Sequence, residues 1–207
     1  MNEYITVKRE SAGQYIEKHS RFLGFLVPCG NESEAAARIN EKRKEYWDAR
    51  HAVYAYVLAD GTARFSDDGE PHGTAGKPVL EVLKSSGIKN AAIIVVRYFG
   101  GILLGTGGLV RAYTAAASSA VENAEKTKVS AGDEFSVSAS YGDYDKLVFL
   151  LREAGADIVK TEFLDSVRVV FSVQSEKSEN CLKSIKEAFS SSVLPKFEKK
   201  TEIYQKI

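Results

Sequence analysis

The chain has 207 residues, with 28 Lys and Arg balanced by 28 Asp and Glu, 44% hydrophobic residues and two cysteines. That balance excludes a wholly disordered chain and a global electrostatic footprint for nucleic acid or anionic membrane. It also argues against a Cys-based structural zinc site, which needs four N or S ligands. The longest strictly apolar run, residues 91–96, is six residues long, far short of the roughly 20 that a membrane helix needs. The opening MNEYITVKRESAG lacks the basic-then-apolar order of a secretion signal. A cytoplasmic location is therefore expected, with Cys29 and Cys181 as reduced thiols.

In chain order, strands are expected near residues 4–7, 14–18 and 22–27. Asn31 or Ser33 then caps a helix to about Asp48, with Glu34 three residues after Asn31 as in a capping box. Residues 53–58 read as a strand, and FSDDGEPHGTAGK as a loop. Pro78 suits the first turn of a short helix over 79–84. The wholly apolar run within 91–98 predicts a strand covered on both faces. A second glycine loop, FGGILLGTGG, feeds a long helix over 109–124. The texture changes at KTKVSAGDE, which sets expected domains of 1–130 and 131–207. Beyond it, apolar residues alternate at Phe135, Val137, Ala139 and Tyr141 and again from Val167 to Val173. Two helical stripes, Leu147 to Ala154 and Cys181 to Phe189, separate these from short strands near 158–164 and 196–204. The order β-α-β-β-α-β is the ferredoxin-like pattern, with one sheet face left free. The chain as a whole reads as α+β.

Ten of the sixteen glycines lie between Gly61 and Gly108. A glycine loop entering a helix offers free N–H groups and a positive dipole end, which suits an anion. Lys77 closes the first loop, and Arg97 and Arg111 flank the second. Phosphate or RNA binding is expected at Lys77, Arg97, Arg111, Gly100, Gly101, Gly105, Gly107 and Gly108, with Arg97-Tyr98-Phe99 and Arg111-Ala112-Tyr113 joining cation to ring. The competing structural role is pairing of the arginines with Asp67, Asp68 and Glu70. These three acids around Gly69 have the chemistry for Mg²⁺, but the same residues make ordinary turns. His72 beside Ser66 and Thr74 invites a Ser-His-Asp reading, which neighbours along one loop rarely satisfy. His51 reads as a hydrogen-bonded structural histidine with acid/base work as the alternative. Cys29 has no identifiable activating base. Lys196, Lys199 and Lys200 with Phe197 and Tyr204 form a basic edge in the second domain, for RNA or as a solvated edge strand.

RFSDDGEPHGTAGKPVLEVL (64–83) and VVRYFGGILLGTGGLVRAY (95–113) closely resemble the YigZ/Impact family, as do Ser20-Arg21-Phe22 and His51 in ARHAVYAY. The resemblance spans the chain, and the second half is similar to the extra domain of bacterial members. His72 stands where the family more usually has Ser. The resemblance implies an N-terminal βαβ fold shared with ribosomal proteins and a domain of elongation factor G. It implies a C-terminal domain similar to the ferredoxin-like domains of that factor. RNA or ribosome binding is the implied role. Eukaryotic Impact regulates translation by restraining a starvation-sensing kinase, but it carries a further N-terminal domain outside the resemblance, so the kinase link is not carried over. No catalytic residue, metal or cofactor is implied. Asp67, Asp68, Gly69, Glu70, Gly73, Thr74 and Gly76 form the motif loop. The expected function is a non-enzymatic, translation-linked regulator that binds RNA or ribosome through this surface. The alternatives are a protein-interaction module, or an enzyme acting on a phosphorylated or peptide-like small molecule.

Overall fold

The computed structural model describes residues 3–190 and 192–207. Two compact units divide the chain: residues 4–128 with the last two residues, and residues 129–205 with Glu3. Among the described residues, no helix is long and apolar enough to cross a membrane.

The first unit contains β1 (Tyr4–Val7), β2 (Ser11–Glu17), β3 (Ser20–Pro28), α1 (Glu32–Glu45), β4 (His51–Val57), β5 (Ala63–Ser66), α2 (Gly76–Ser85), β6 (Ala91–Tyr98) and α3 (Gly105–Glu122). Its sheet runs β2-β3-β6-β4-β5, every neighbouring pair antiparallel. β3 and β4 both run against β6 and so run parallel to each other. With α1 between them they make a split βαβ unit around β6. The expectation for β6 is met: its alternate residues feed two different cores. Ala91, Ile93 and Val95 pack with residues of α2 and α3, while Ala92, Ile94 and Val96 pack with Ala35 and Ile39 of α1. Covering both faces dehydrates the strand completely, which is why it tolerates no polar residue until Arg97.

Three sequence expectations shift. β5 is a strand whose last two residues, Phe65 and Ser66, read as loop in the sequence, because four partly exposed residues at a sheet edge carry no readable period. α1 stops at Glu45, with Tyr46 as its C-cap, rather than near Asp48. α3 starts at Gly105, so Gly105, Gly107 and Gly108 form its first turn rather than a loop. Glycine is a poor helix former, which hides that start in the sequence. α3 lies close against β2 and β3: a Cβ on Gly24 would come within 2.4 Å of the Ala116 carbonyl oxygen. The small residues Ala112, Ala116, Ala117 and Ala120 make the same face of the helix flat and fully buried.

The second unit follows the expected order: β7 (Lys126–Ala139), α4 (Tyr144–Glu153), β8 (Asp157–Phe163), β9 (Val167–Gln174), α5 (Ser175–Ala188) and β10 (Lys196–Lys206). β9 pairs with β7 and β8, and β10 pairs with β7. β7 begins at Lys126, so residues 126–133 are strand, where the sequence suggested a boundary. Small polar residues such as Thr127, Ser130 and Asp133 are buried there and give no hydrophobic signal. Phe135, Val137, Val169 and Phe171 turn inward onto Leu147 and Leu151 of α4 and Ile185 of α5. The other sheet face is polar: the Ser136 hydroxyl donates to Glu198 at 2.6 Å, and Arg168 meets Glu198 at 3.3 Å.

Candidate functional site

The two glycine-rich segments differ in what sits at the helix each one enters. At α2 the place of an anion is taken by the protein's own Asp67. Its Oδ1 accepts from the amides of Ala75 (3.1 Å) and Gly76 (2.8 Å), and its Oδ2 from Gly73 (2.9 Å). Burial pushes the Asp67 carboxyl up, but these three N–H bonds, from Gly73, Gly76 and Ala75, outweigh it and hold the pKa below the usual carboxylate range. Gly76 has to be glycine, since a Cβ there would stand 2.6 Å from the Ser66 carbonyl oxygen. The first loop is thus closed to an outside anion. Lys77 is exposed and faces a separate shallow groove with Gly73, Pro78 and Glu81.

At α3 the start of the helix is open. Leu104 at the N-cap provides no side-chain cap, and the first turn holds no acidic residue. The first-turn amides have no intrahelical partner, and among the described residues no side chain takes them up. Arg111 is exposed, and its Nη1 lies 3.7 Å from where a Cβ of Gly107 would be. Its guanidinium therefore lies beside Gly107 on the flank of the first turn.

Beside this helix start lies a cavity of about 460 Å³, lined in part by Arg50, His51, Glu70, Arg97, Phe99 and Thr106. Its polar floor is a buried cluster. Arg97 is only 6% exposed. Its Nη1 donates to Glu70 Oε1 at 2.6 Å, and the same oxygen accepts from the Tyr113 hydroxyl at 2.8 Å. The guanidinium lies over the rings of Phe22 (5.3 Å) and Phe99 (5.6 Å), and Phe22 packs edge-on against Tyr113 at 5.0 Å. Burial, followed by the nearby Glu70 charge, drives the Tyr113 phenol far above its ordinary pKa, so it stays a donor. Arg97 Nε is buried and has no hydrogen-bond partner among the described residues.

His51 stands at the rim of this cluster. Its Nδ1 lies 2.7 Å from the Asp68 carbonyl oxygen. A carbonyl only accepts, so Nδ1 carries the proton. Nε2 then points the ring's other face to Glu70 Oε1 at 4.0 Å. Asp68 itself is fixed by the Ala52 amide at 2.7 Å and Arg43 at 2.5 Å. Ser20, also buried, accepts from the Gly100 amide at 3.1 Å. The motif segments at 20–22, 51, 67–76 and 97–113 thus converge on one place.

The expectations for Arg97 and Tyr113 are corrected here, and the other candidate residues take the places that follow. Arg97 is not an open phosphate clamp: it lies next to the end of a strand dehydrated on both faces and takes Glu70 as its counter-charge. Tyr113 is not an exposed stacking ring, since it is completely buried. The acids Asp67, Asp68 and Glu70 turn to three different partners, and no group of three or more acids, His or Cys among the described residues could hold a metal. His72 is almost wholly exposed, 3.8 Å from Asp67 Oδ2, with no serine in a triad. Both cysteines are buried, and burial pushes their thiols up to about 12 for Cys29 and about 11 for Cys181. In the second unit, Lys200 meets Asp133 at 2.5 Å and Lys199 meets Glu134 at 3.5 Å, so two cations of the basic edge are ion-paired. Sequence reasoning missed Arg50 and Thr106 as cavity residues. The signal was present for Thr106, the one side chain able to hydrogen-bond within GTGG.

Comparison with known families places these segments. Residues 18–121 match the family model described as Impact N-terminal domain. The chain belongs to the IMPACT family. Residues 137–192 match a second model, described as a domain of unknown function (DUF1949). Every cavity residue falls inside the IMPACT match. The IMPACT family member YvyE of Bacillus subtilis is 44% identical over 115 residues, 55% of this chain, and the match covers about half (53%) of that relative. The IMPACT family member YigZ of Escherichia coli is 37% identical over 150 residues, covering 70% of this chain and 74% of the relative. A solved structure titled as that of a hypothetical protein is 29% identical, covers 96% of this chain and 98% of its own, and superposes with a TM-score of 0.64. The two-domain α+β architecture is therefore shared along the whole chain.

Proposed function

We propose that this IMPACT family protein is a non-enzymatic, translation-linked regulator of the cytoplasm that binds RNA or the ribosome. The observation that carries the reading is the open start of α3. Of the two glycine-flanked helix starts, α2 is filled by Asp67, whereas among the described residues no side chain caps the first-turn amides of α3, with Arg111 beside Gly107 on that turn and Arg50 at the adjoining cavity. Helix N-termini with arginines beside them hold phosphate oxygens. The family's eukaryotic namesakes, and the ribosome-associated folds implied by the resemblance, support the link to translation.

Co-sedimentation with ribosomes across a salt series tests this. Binding through phosphates weakens as salt rises because counterions are released. Arg50→Ala and Arg111→Ala should each weaken binding and flatten the salt slope by roughly one unit per lost phosphate contact. Both side chains are exposed, so the fold is retained. Salt-independent association, or none at any salt, overturns the reading. A second reading is favoured by His51 Nε2 standing 4.0 Å from Glu70 in a compact cavity, an arrangement suited to acid/base chemistry on a small molecule. A metabolite screen by thermal shift separates the two, since a ligand of the folded state raises the melting temperature.

A further inference from the structure

We infer that the end of the first unit's sheet around Tyr98 is a docking surface for an acidic protein segment with one bulky apolar side chain, which enters the cavity beside Phe99 and Leu103. The inference goes beyond the phosphate reading of α3 and uses none of its amides. β6 ends at Tyr98 where β3 and β4 begin, with Arg21 opposite Tyr98 and His51 opposite Arg97. Three connections meet there. Lys18 and His19 turn β2 into β3 in left-handed backbone, with φ of 45° and 62°. Gly100 packs on that turn so closely that a Cβ would stand 2.1 Å from the His19 carbonyl carbon. The connection from α1 to β4 is tied in by Asp48, whose Oδ1 accepts from the Tyr98 hydroxyl at 2.8 Å. The third connection, residues 99–104, leads from β6 to α3.

Two observations point to a partner here. The first is apolar exposure. Leu103 at 83% and Trp47 at 82% are the most exposed large hydrophobic side chains among the described residues, and Ile102 (46%) and Phe99 (43%) accompany them. Exposed apolar residues are ordinary when scattered singly, but gathered at one end of a domain they mark an interaction site. The second is unanswered positive charge. Arg21 lies over the Tyr98 ring at 4.8 Å, and Arg50 lines the cavity. Among the described residues neither of these nor Lys18 has a carboxylate partner. The acids at this end are already engaged, Asp48 by Tyr98 and Glu70 by Arg97 and Tyr113. Shape then selects among anionic partners. The cavity of about 460 Å³ is walled by Phe99, Leu103, Leu104 and Leu109. Nucleic acid would stack on aromatic rings but leave the leucines unmatched. A lipid surface would cover Leu103 and Trp47 but leave the concavity unfilled. A protein segment satisfies both: one bulky side chain fills the pocket, as interface anchors do, and acids beside it meet Lys18, Arg21 and Arg50, fixing the register by charge complementarity.

The test is fluorescence anisotropy of labelled short peptides, Asp and Glu around a central Trp, Phe or Leu, titrated with the full chain. Control peptides carry a central Ala, or Asn and Gln in place of the acids. The expected result is that an apolar centre tightens binding by about tenfold or more, and that exchanging the acids loosens it and removes its salt dependence. Leu103→Ser and Arg21→Gln change exposed side chains, so the fold is retained. Leu103→Ser should weaken the peptide by about tenfold, and Arg21→Gln should weaken it and flatten its salt dependence. The inference is overturned if no acidic peptide binds, if the Ala-centred peptide binds as tightly, or if Leu103→Ser binds as the parent does. Single-stranded oligoribonucleotides or phosphatidylglycerol vesicles that bind and are lost in Leu103→Ser, without peptide binding, assign the surface to those partners and overturn it as well. Arg111→Ala, the variant that probes the start of α3, should leave peptide affinity unchanged. Ribosome co-sedimentation keeps the two claims apart. Peptide binding without sedimentation upholds this surface and sinks the phosphate reading, and salt-sensitive sedimentation without peptide binding does the reverse.

Discussion

Removing the Glu70 carboxylate leaves the Arg97 guanidinium buried over two phenyl rings without a counter-charge, and leaves the Tyr113 hydroxyl without its acceptor. Breaking a buried pair from one side costs about 3–5 kcal/mol, so urea denaturation of Glu70→Ala should show a loss of that size. Asp67 makes a prediction of opposite character. Its pKa is held down in the folded chain by the amides of Gly73, Gly76 and Ala75 against the effect of burial. The stability it contributes is therefore complete above the unfolded value of roughly 3.9 and is lost as pH falls through the lower folded value. Asp67→Asn should be less stable than the parent at neutral pH, and the difference should shrink on acidification below that unfolded value. The thiols, raised to about 12 at Cys29 and about 11 at Cys181 and buried, should resist iodoacetamide at pH 8 in the native chain and react fully in denaturant. What the sequence hid at this scale was the burial of Arg97. An arginine that follows an unbroken apolar run looks solvent-facing, and its partner stands 27 positions away. The competing reading, in which the arginines pair with Asp67, Asp68 and Glu70, holds for Arg97 with Glu70.

Elements with a strong period or a strong cap were readable in advance. Of the two caps the sequence allows for α1, Asn31 and Ser33, the structure uses Asn31, whose Oδ1 accepts from the Glu34 amide at 2.9 Å. The Glu34 carboxylate reaches the Gly30 amide at 2.7 Å rather than that of Asn31, a local departure from the capping box. Asn31→Ala should cost about 1 kcal/mol, measurable by the same urea titration. The alternation in β7 and β9 and the stripes on α4 and α5 likewise revealed the second domain, because one buried face imposes one period. Where burial is carried by small polar residues, as at the front of β7, or where a helix opens on glycines, as in α3, the hydrophobic pattern is silent and tertiary packing decides. The candidate site sits on that silent stretch. The glycines and arginines of the second motif point to a candidate site, but the start of α3 within GTGG, which decides where its amides point, is not legible in the sequence.

The whole molecule holds separate cores: those of the first unit are built on both faces of its sheet, and that of the second on Phe135, Leu147, Leu151, Val169, Phe171 and Ile185. Leu151→Ala deletes a fully buried side chain, at a cost of about 2–5 kcal/mol. Hydrogen exchange should then accelerate across residues 135–189 while the amides of β6 keep their protection, since no β6 residue belongs to that core. β6 also has a meaning outside the native state. Its run Ala-Ala-Ile-Ile-Val-Val is uncharged and free of proline, and its Ile and Val residues favour strands, the composition of segments that stack into cross-β fibrils. Folded, it is the middle strand of five and both its edges are paired. Unfolded or newly synthesised, it is bare, and the nearest charges on either side are Lys89 and Arg97. Arg97 thus guards the chain against self-association before it ever meets Glu70, and refolding yield should fall with protein concentration more steeply when that position is made apolar.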